Sequence, residues 1–225
     1  MFFLAVKQFF FFFFFNSAVM KSSKSSVSVG SSEEPPLESI RSVISSLGLA
    51  PHQSVTGIIK ALNLKAHIEG GFYTRSFTSD VTSLMPQGPR PAITSIYYLC
   101  RAGEKCSLHE LLSDELWFWH AGDALEIVEI SNTYEDDTIA SVKRTRISGG
   151  VVGSPQLRFS HAVRAGTVFG ATCRVGGQCG FSLVSCAVAP GFDFADWKME
   201  KASVYSARFL GADAAAAIAE LATGI

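Results

Sequence analysis

The strongest constraint on the fold is a succession of short β-forming segments separated by turns rich in glycine and proline. The segments are 72–79, 93–100, 115–120, 125–130, 138–147, 157–163, 167–173 and 181–188. Many short strands at regular spacing are typical of a sandwich or a closed barrel. Long helices do not alternate with these strands, which argues against a parallel α/β sheet. We therefore predict a single all-β domain, built as a sandwich or a closed barrel.

Helical periodicity is confined to the regions on either side of the strands. Apolar residues recur at helical spacing over 37–47 and 55–62, and an alanine-rich stretch follows at 212–222. The pattern divides the chain into a disordered or doubtful N-terminal extension over 1–36, a helical lead-in over 37–53, the barrel domain over 54–210 and a C-terminal helix over 211–225.

An unbroken phenylalanine run occupies residues 9–15. It is much shorter than the ~20 apolar residues that a membrane span needs. It also lacks the basic start and the small-residue cleavage site of a secretory signal. We interpret this segment as a targeting sequence or as a start upstream of the true one. We predict no stable membrane span and a cytoplasmic location.

The balance of charges and the cysteine content restrict the partners. The chain has 19 basic and 20 acidic residues and a formal net charge of -1, so nucleic acid and anionic membranes are not expected as partners. Its five cysteines are odd in number and form no Cys-x-x-Cys pair. This pattern argues against a disulfide framework or a zinc site made of cysteine pairs, and it favours free thiols in a reducing compartment.

The segment from Gly103 to Gly122 contains the side chains best suited to catalysis or ligand binding. His109 and Glu115 lie within it, on either side of a short turn. Because alternate side chains of a barrel strand point inward, both are predicted to converge at the mouth of the barrel. An imidazole and a carboxylate at one place can act as acid and base or hold a divalent metal.

The spacing of this segment resembles the first cupin motif, in which a second histidine stands at the position of Leu111. The glycine of the second cupin motif is matched by Gly166, whereas Phe169 replaces its histidine. The resemblance implies a jelly-roll barrel without the full set of three histidines and one carboxylate. We therefore assign no metal ligands and no cofactor. A divalent metal held by His109 and Glu115 alone is the less favoured alternative, because bound metals usually have three or more protein ligands.

Four longer strings are similar to the cupin family long labelled a domain of unknown function. They are His-Ile-Glu-Gly-Gly-Phe-Tyr at 67–73, Ser-Ile-Tyr-Tyr-Leu at 95–99, Ser-Asp-Glu-Leu-Trp at 113–117 and Val-Ala-Pro-Gly-Phe-Asp-Phe at 188–194. Together they cover about residues 55–200 in order. The resemblance implies a barrel like those of seed storage proteins and sugar-nucleotide epimerases, but membership implies no single reaction.

Seven residues are candidates for the site. The catalytic candidates are His109, Glu115 and Tyr97, and the ligand-binding candidates are His67, Glu69, Tyr73 and Trp117. A carboxylate inside a small barrel is costly unless paired, so Glu115 is expected to meet a ligand or an arginine such as Arg75. Strand alternation favours an inward orientation for Tyr73 and Tyr97, whose hydroxyls could bind a polar ligand.

These residues can be compared with the requirements of four functions. We favour a binding protein whose pocket holds a small polar or sugar-like molecule without turnover. The alternative is an isomerase or epimerase with His109 as base and Tyr73 or Tyr97 as acid. The missing ligands argue against a metal-dependent oxygenase, and the neutral charge and modest length argue against a storage protein.

Because barrels of this type often cover their strand edges with a second copy, we predict a homodimer.

Overall fold

The computed structural model describes residues 54–132, 139–149 and 158–223, so the predicted helical lead-in and N-terminal extension lie outside the described residues. The strands are β1 (Lys65–Ala66), β2 (Phe72–Thr78), β3 (Thr82–Met85), β4 (Gly88–Pro91), β5 (Thr94–Arg101), β6 (Lys105–Leu111), β7 (Asp114–Gly122), β8 (Leu125–Asn132), β9 (Ala140–Ile147), β10 (Ser160–Val163), β11 (Val168–Cys173), β12 (Phe181–Ala189) and β13 (Trp197–Lys198). The helices are α1 (Val55–Ala61), α2 (Ala202–Arg208), α3 (Ala212–Leu221) and a 3₁₀ turn at Phe194–Asp196.

Two antiparallel sheets form the barrel. One has the strand order β1-β2-β5-β12-β7-β10, and the other has the order β13-β6-β11-β8-β9. The main core cluster takes side chains from both sheets, among them Tyr98 and Trp117 from the first and Leu125 and Phe169 from the second. The predicted all-β jelly-roll barrel is confirmed.

Two regions differ from the predicted strand pattern. The predicted loop over 80–91 contains the hairpin β3–β4, which pairs only with itself and therefore tolerates the prolines that argued against a strand. Strand β6 is missing from the predicted β-forming segments, because its sequence contains no β-branched residue, although the placement of His109 before a short turn implies a strand there. Its position between β13 and β11 supplies the hydrogen bonds and the burial that local propensity does not.

The helices cover parts of the barrel away from its interior. The side chain of Ser54 caps α1 by accepting a hydrogen bond from the amide of Gly57 at 3.1 Å. Helices α2 and α3 bury Tyr205, Ile218 and Leu221 with apolar residues on the outer face of the second sheet. Within the described residues, no helix is long and apolar enough to cross a membrane.

The turn between β1 and β2 presses closely against the neighbouring strands. Gly71 has φ +68°, and a Cβ atom there would lie 2.6 Å from the hydroxyl oxygen of Tyr98. The backbone amide of Ser107 donates to the carbonyl of Glu69 at 2.8 Å, and the Tyr98 hydroxyl donates to the carbonyl of Gly70 at 2.8 Å. The two glycines thus bring His67 and Glu69 against the inner strands, as their position in the sequence suggests.

The segment that contains Asp196 and Trp197 is fixed beside this turn by a buried ion pair between Arg90 and Asp196. The guanidinium of Arg90 donates to both carboxylate oxygens of Asp196, at 2.7 and 2.9 Å. Directly after Asp196, the indole nitrogen of Trp197 donates to Glu69 at 2.6 Å. This segment therefore connects the β3–β4 hairpin to the turn that carries Glu69.

Candidate functional site

A cavity of about 80 Å³ lies inside the barrel. Six of the seven candidate residues line it, namely His67, Glu69, Tyr73, His109, Glu115 and Trp117. Strands β2, β6 and β7 and the turn before β2 supply these side chains. The structure thus brings together residues far apart in the sequence, and their individual roles stay predictions.

Tyr97 does not belong to this group, and its predicted inward orientation is wrong. It is 37% exposed, and its ring lies 6.0 Å from that of His120 on the outer side of the sheet. The inward position on β5 belongs to Tyr98, which is buried and lines the cavity. Leu99 on the outer side is also buried, beneath α1, so both faces of β5 are apolar and alternation could not assign them.

Glu115 is buried without a partner for one of its carboxyl oxygens. It is 6% exposed, and its Oε2 atom has no hydrogen-bond partner among the described residues. The anticipated salt bridge with Arg75 does not form, although Arg75 also lines the cavity. Burial and, to a smaller extent, the charge of Glu69 raise the pKa of Glu115 to about 8, and a weak interaction with the nearby Trp117 indole, too poorly aligned to count as a hydrogen bond, opposes this effect. The side chain is therefore a neutral carboxylic acid at pH 7 that can both donate and accept.

Trp117 presents a second unpaired polar group beside Glu115. Its indole is buried, with ring centroids 5.8 Å from Tyr98 and 6.3 Å from Phe169. The Nε1 atom has no hydrogen-bond partner among the described residues. A buried indole N–H normally has a partner, and leaving one unpaired costs about 1–3 kcal/mol. The Trp117 indole and the Glu115 carboxyl are therefore neighbouring buried groups whose hydrogen bonds are incomplete.

Glu69 is the centre of a cluster of polar side chains. Its Oε1 atom accepts the hydrogen bond from Trp197. Its Oε2 atom lies 3.1 Å from the sulfur of Cys106 and 3.6 Å from Nδ1 of both His67 and His109. Desolvation lowers the pKa of His67, although the charge of Glu69 opposes this effect. The imidazole of His67 is therefore neutral at pH 7.

His109 is held in a single tautomer by the backbone. Its Nδ1 atom lies 2.8 Å from the carbonyl oxygen of Ser107. Because a carbonyl only accepts hydrogen bonds, Nδ1 carries the proton, and Nε2 keeps its lone pair for a ligand or a proton. The ring of Phe169 packs 4.2 Å from the imidazole.

The residues present do not fit the metal set usual for cupins. Leu111 lines the cavity and Phe169 packs beside His109, so apolar side chains fill two of the four ligand positions. His109 and Glu115 alone leave such a set incomplete. No step of a reaction is therefore assigned to a metal at these four positions.

Cys106 lines the cavity but was not among the candidate residues. It lies three positions before His109, so regular alternation along β6 would turn the two side chains to opposite faces. The pairing of β6 with β11 shifts between Phe169 and Ala171, where three steps on β6 oppose two on β11. This irregularity turns Cys106 to the same side as His109, and the sequence carries no clear signal for it.

Comparison with known proteins agrees with this architecture. The sequence profile of the family described as "Cupin superfamily (DUF985)" matches residues 56–200. A hypothetical protein from Leishmania major is 30% identical, with a TM-score of 0.63, over 76% of this chain and 99% of its own. A protein from Shewanella oneidensis is 32% identical, with a TM-score of 0.64, over 77% of this chain and 99% of its own. No curated protein matches the chain.

Proposed function

Since this chain belongs to the DUF985 family of the cupin superfamily, we propose that its cavity binds a small, uncharged polar molecule, such as a polyol or one edge of a sugar. The observation that carries this proposal is a pair of buried polar atoms that lack hydrogen-bond partners among the described residues, Oε2 of Glu115 and Nε1 of Trp117. A bound hydroxyl group could accept from the indole N–H and exchange hydrogen bonds with the neutral carboxyl. Either contact would remove the cost of an unpaired buried group.

The size and lining of the cavity restrict the ligand further. A volume of about 80 Å³ is well above the roughly 10–15 Å³ that a single water molecule needs, so the cavity has room for a small molecule. Tyr73, Trp117 and Phe192 add aromatic surface, which suits the apolar face of a sugar or polyol. A small polyol could therefore occupy the cavity, and a sugar could enter it with one edge.

Calorimetric titration with glycerol, neutral monosaccharides and small carboxylic acids tests this proposal. We expect a neutral hydroxylated probe to bind, and we expect Trp117→Phe to weaken its affinity about tenfold, because the variant removes one hydrogen bond worth about 1.4 kcal/mol and keeps an aromatic ring. Trp119→Phe is the matched control, since the Trp119 indole already donates to the carbonyl of Asp123. Equal affinity in the wild type and Trp117→Phe would contradict the proposed binding mode.

An acid–base enzyme of the isomerase or epimerase kind is the second candidate function. It is supported by two groups with complementary protonation in one cavity, the neutral carboxyl of Glu115 and the free Nε2 lone pair of His109. Such pairs of acid and base are the basis of proton transfer in many enzymes. Because Tyr97 faces outward, Glu115 or Tyr73 is the acid in this scheme. Turnover of a bound probe that His109→Ala abolishes, with binding retained, would favour this candidate over simple binding.

The predicted homodimer remains part of the proposal. The outer face of the first sheet exposes Tyr97 and Phe118 on either side of Ser185, in one row across β5, β12 and β7. Exposed aromatic side chains on a flat sheet face favour association with a second copy. We expect light scattering to give twice the chain mass and Phe118→Glu to halve it. Leu84→Glu, a change at an exposed side chain of β3, should leave the mass unchanged, and a monomeric wild type would contradict the proposal.

A cytoplasmic location also belongs to the proposal. It is supported by the five cysteines, all of which are free thiols in the structure. Free thiols, four of them buried, are typical of proteins in a reducing compartment. Cell fractionation with the full chain is the direct test.

A further inference from the structure

We propose that Glu69, Cys106 and His109 form a zinc-binding site at the edge of the cavity. Glu69 lies outside the cupin motifs and Cys106 occupies an unspecified position of the first one, so the ligand count made from the motif positions could not include them. The inference concerns an inorganic ion and stands independently of whether the cavity also binds a polyol.

The first argument is the spacing of the three donor atoms. All three side chains are buried, and their ligand atoms lie within 4.8 Å of one another. The sulfur of Cys106 is 3.1 Å from Oε2 of Glu69. Tetrahedral zinc with bonds of about 2.0–2.3 Å separates its ligand atoms by roughly 3.2–3.8 Å. The Glu69–Cys106 pair is already close to this spacing, and side-chain rotations that move the remaining donor atoms by about 1 Å would complete the site.

The second argument is that partners outside the triad already orient two of the ligands. His109 donates its Nδ1–H to the carbonyl of Ser107, which leaves Nε2 as the ligand atom. Glu69 accepts the indole N–H of Trp197 at Oε1, which leaves Oε2. Metal-binding histidines and carboxylates are commonly held in this way by hydrogen bonds from their other atoms.

The third argument is the chemistry of the donor set. One thiolate, one imidazole and one carboxylate suit a borderline-soft ion such as Zn²⁺ better than Mg²⁺ or Ca²⁺, which prefer oxygen ligands alone. The carboxylate of Glu69 and a thiolate of Cys106 carry one negative charge each, and together they would neutralise a buried divalent ion. Three protein ligands are typical of zinc sites that keep a fourth position for water or substrate.

Two nearby residues are excluded from the ligand set. Nδ1 of His67 accepts the backbone N–H of Glu69 at 3.3 Å, so its lone pair is occupied. Cys186 is a buried thiol that lines the same cavity but does not belong to the cluster of donor atoms. Because Cys186 shares burial, residue type and cavity with Cys106, it provides a matched control.

The test is metal titration of chelator-treated protein with Zn²⁺ alone and with Co²⁺ alone. We expect one ion per chain and, with Co²⁺, the near-ultraviolet charge-transfer absorption of a cobalt–thiolate bond. Cys106→Ser should abolish this absorption and weaken zinc binding at least about 100-fold, because loss of even an orienting partner costs about 10–100-fold. Cys186→Ser should retain both the absorption and the affinity.

Glu69→Gln provides a second variant, which keeps the thiol and the side-chain size, and it should also weaken zinc binding at least about 100-fold. Circular dichroism establishes that each variant is folded before titration. Absence of stoichiometric binding to the wild type, or equal affinity in the wild type and folded Cys106→Ser or Glu69→Gln, would overturn the proposal. Since the assay contains no organic ligand, its outcome is separate from that of the polyol experiment.

Discussion

Glu115→Gln is expected to stabilise the metal-free protein by on the order of 3 kcal/mol at pH 7. The pKa of this carboxyl rises from 4.5 to about 8 on folding, mainly because burial disfavours its charged form. A shift of one unit corresponds to about 1.36 kcal/mol, and the amide keeps the shape of the carboxyl without being able to ionise. The change therefore removes a cost of folding that increases with pH.

The direction of the pH dependence follows from proton binding. Between about pH 4.5 and pH 8 the folded protein holds the Glu115 proton while the unfolded chain has lost it. The unfolded state thus binds fewer protons, and the stability of the wild type falls as the pH rises through this window. The advantage of Glu115→Gln should be near zero below pH 4.5 and reach about 4–5 kcal/mol at pH 9. Burial raises the pKa values of the neighbouring thiols Cys106 and Cys186, so both stay neutral over this pH range.

Urea denaturation from pH 4 to pH 9 measures this effect. The protein must be treated with chelator first, because a bound cation would stabilise the carboxylate form. Glu104→Gln is the contrasting control, since Arg101 lowers the pKa of Glu104 by a hydrogen bond and the amide should be slightly destabilising. A stability difference for Glu115→Gln that does not change with pH would contradict the neutral carboxyl.

Phe169→Ala is expected to destabilise the protein by about 3–5 kcal/mol, the usual cost of removing a buried phenylalanine ring. Phe169 is 1% exposed and packs against both His109 and Trp117. Its loss removes these contacts and leaves a void next to the cavity, which the surrounding sheets can close only in part. Thermal and urea denaturation provide the measurement.

The control for Phe169→Ala is Phe77→Ala, a change on β2 at a side chain that is 53% exposed. We expect this variant to remain within about 1 kcal/mol of the wild type, because little apolar surface is buried there. A loss of similar size in both variants would mean that Phe169 does not contribute the packing assigned to it.

The barrel and the two central residues of its cavity are predictable from local sequence. The spacing of His109 and Glu115 follows from strand alternation around one short turn, and the succession of short strands follows from glycine and proline turns. The structure places both side chains in the cavity. The strand pattern indicates the all-β class, and the resemblance to the cupin motifs adds the barrel and selects His109 and Glu115.

The rest of the site depends on contacts that local patterns do not encode. Tyr98 rather than Tyr97 faces inward because α1 covers the other side of β5 at Leu99. Cys106 joins the site through an irregular register between two strands. Trp197 reaches Glu69 from 128 positions away, and only the folded chain brings the two together. Each depends on tertiary packing, which overrides strand periodicity.

The central claim is that the cavity presents a neutral carboxyl to its ligand. Titration of the glutamate side-chain carboxyls by carbon-13 nuclear magnetic resonance, on metal-free protein labelled at glutamate, tests it most directly. The wild type should show one carboxyl titrating near pH 8, and this signal should be absent from Glu115→Gln. Titration of the Glu115 carboxyl near pH 4.5, its value without burial, would contradict the claim.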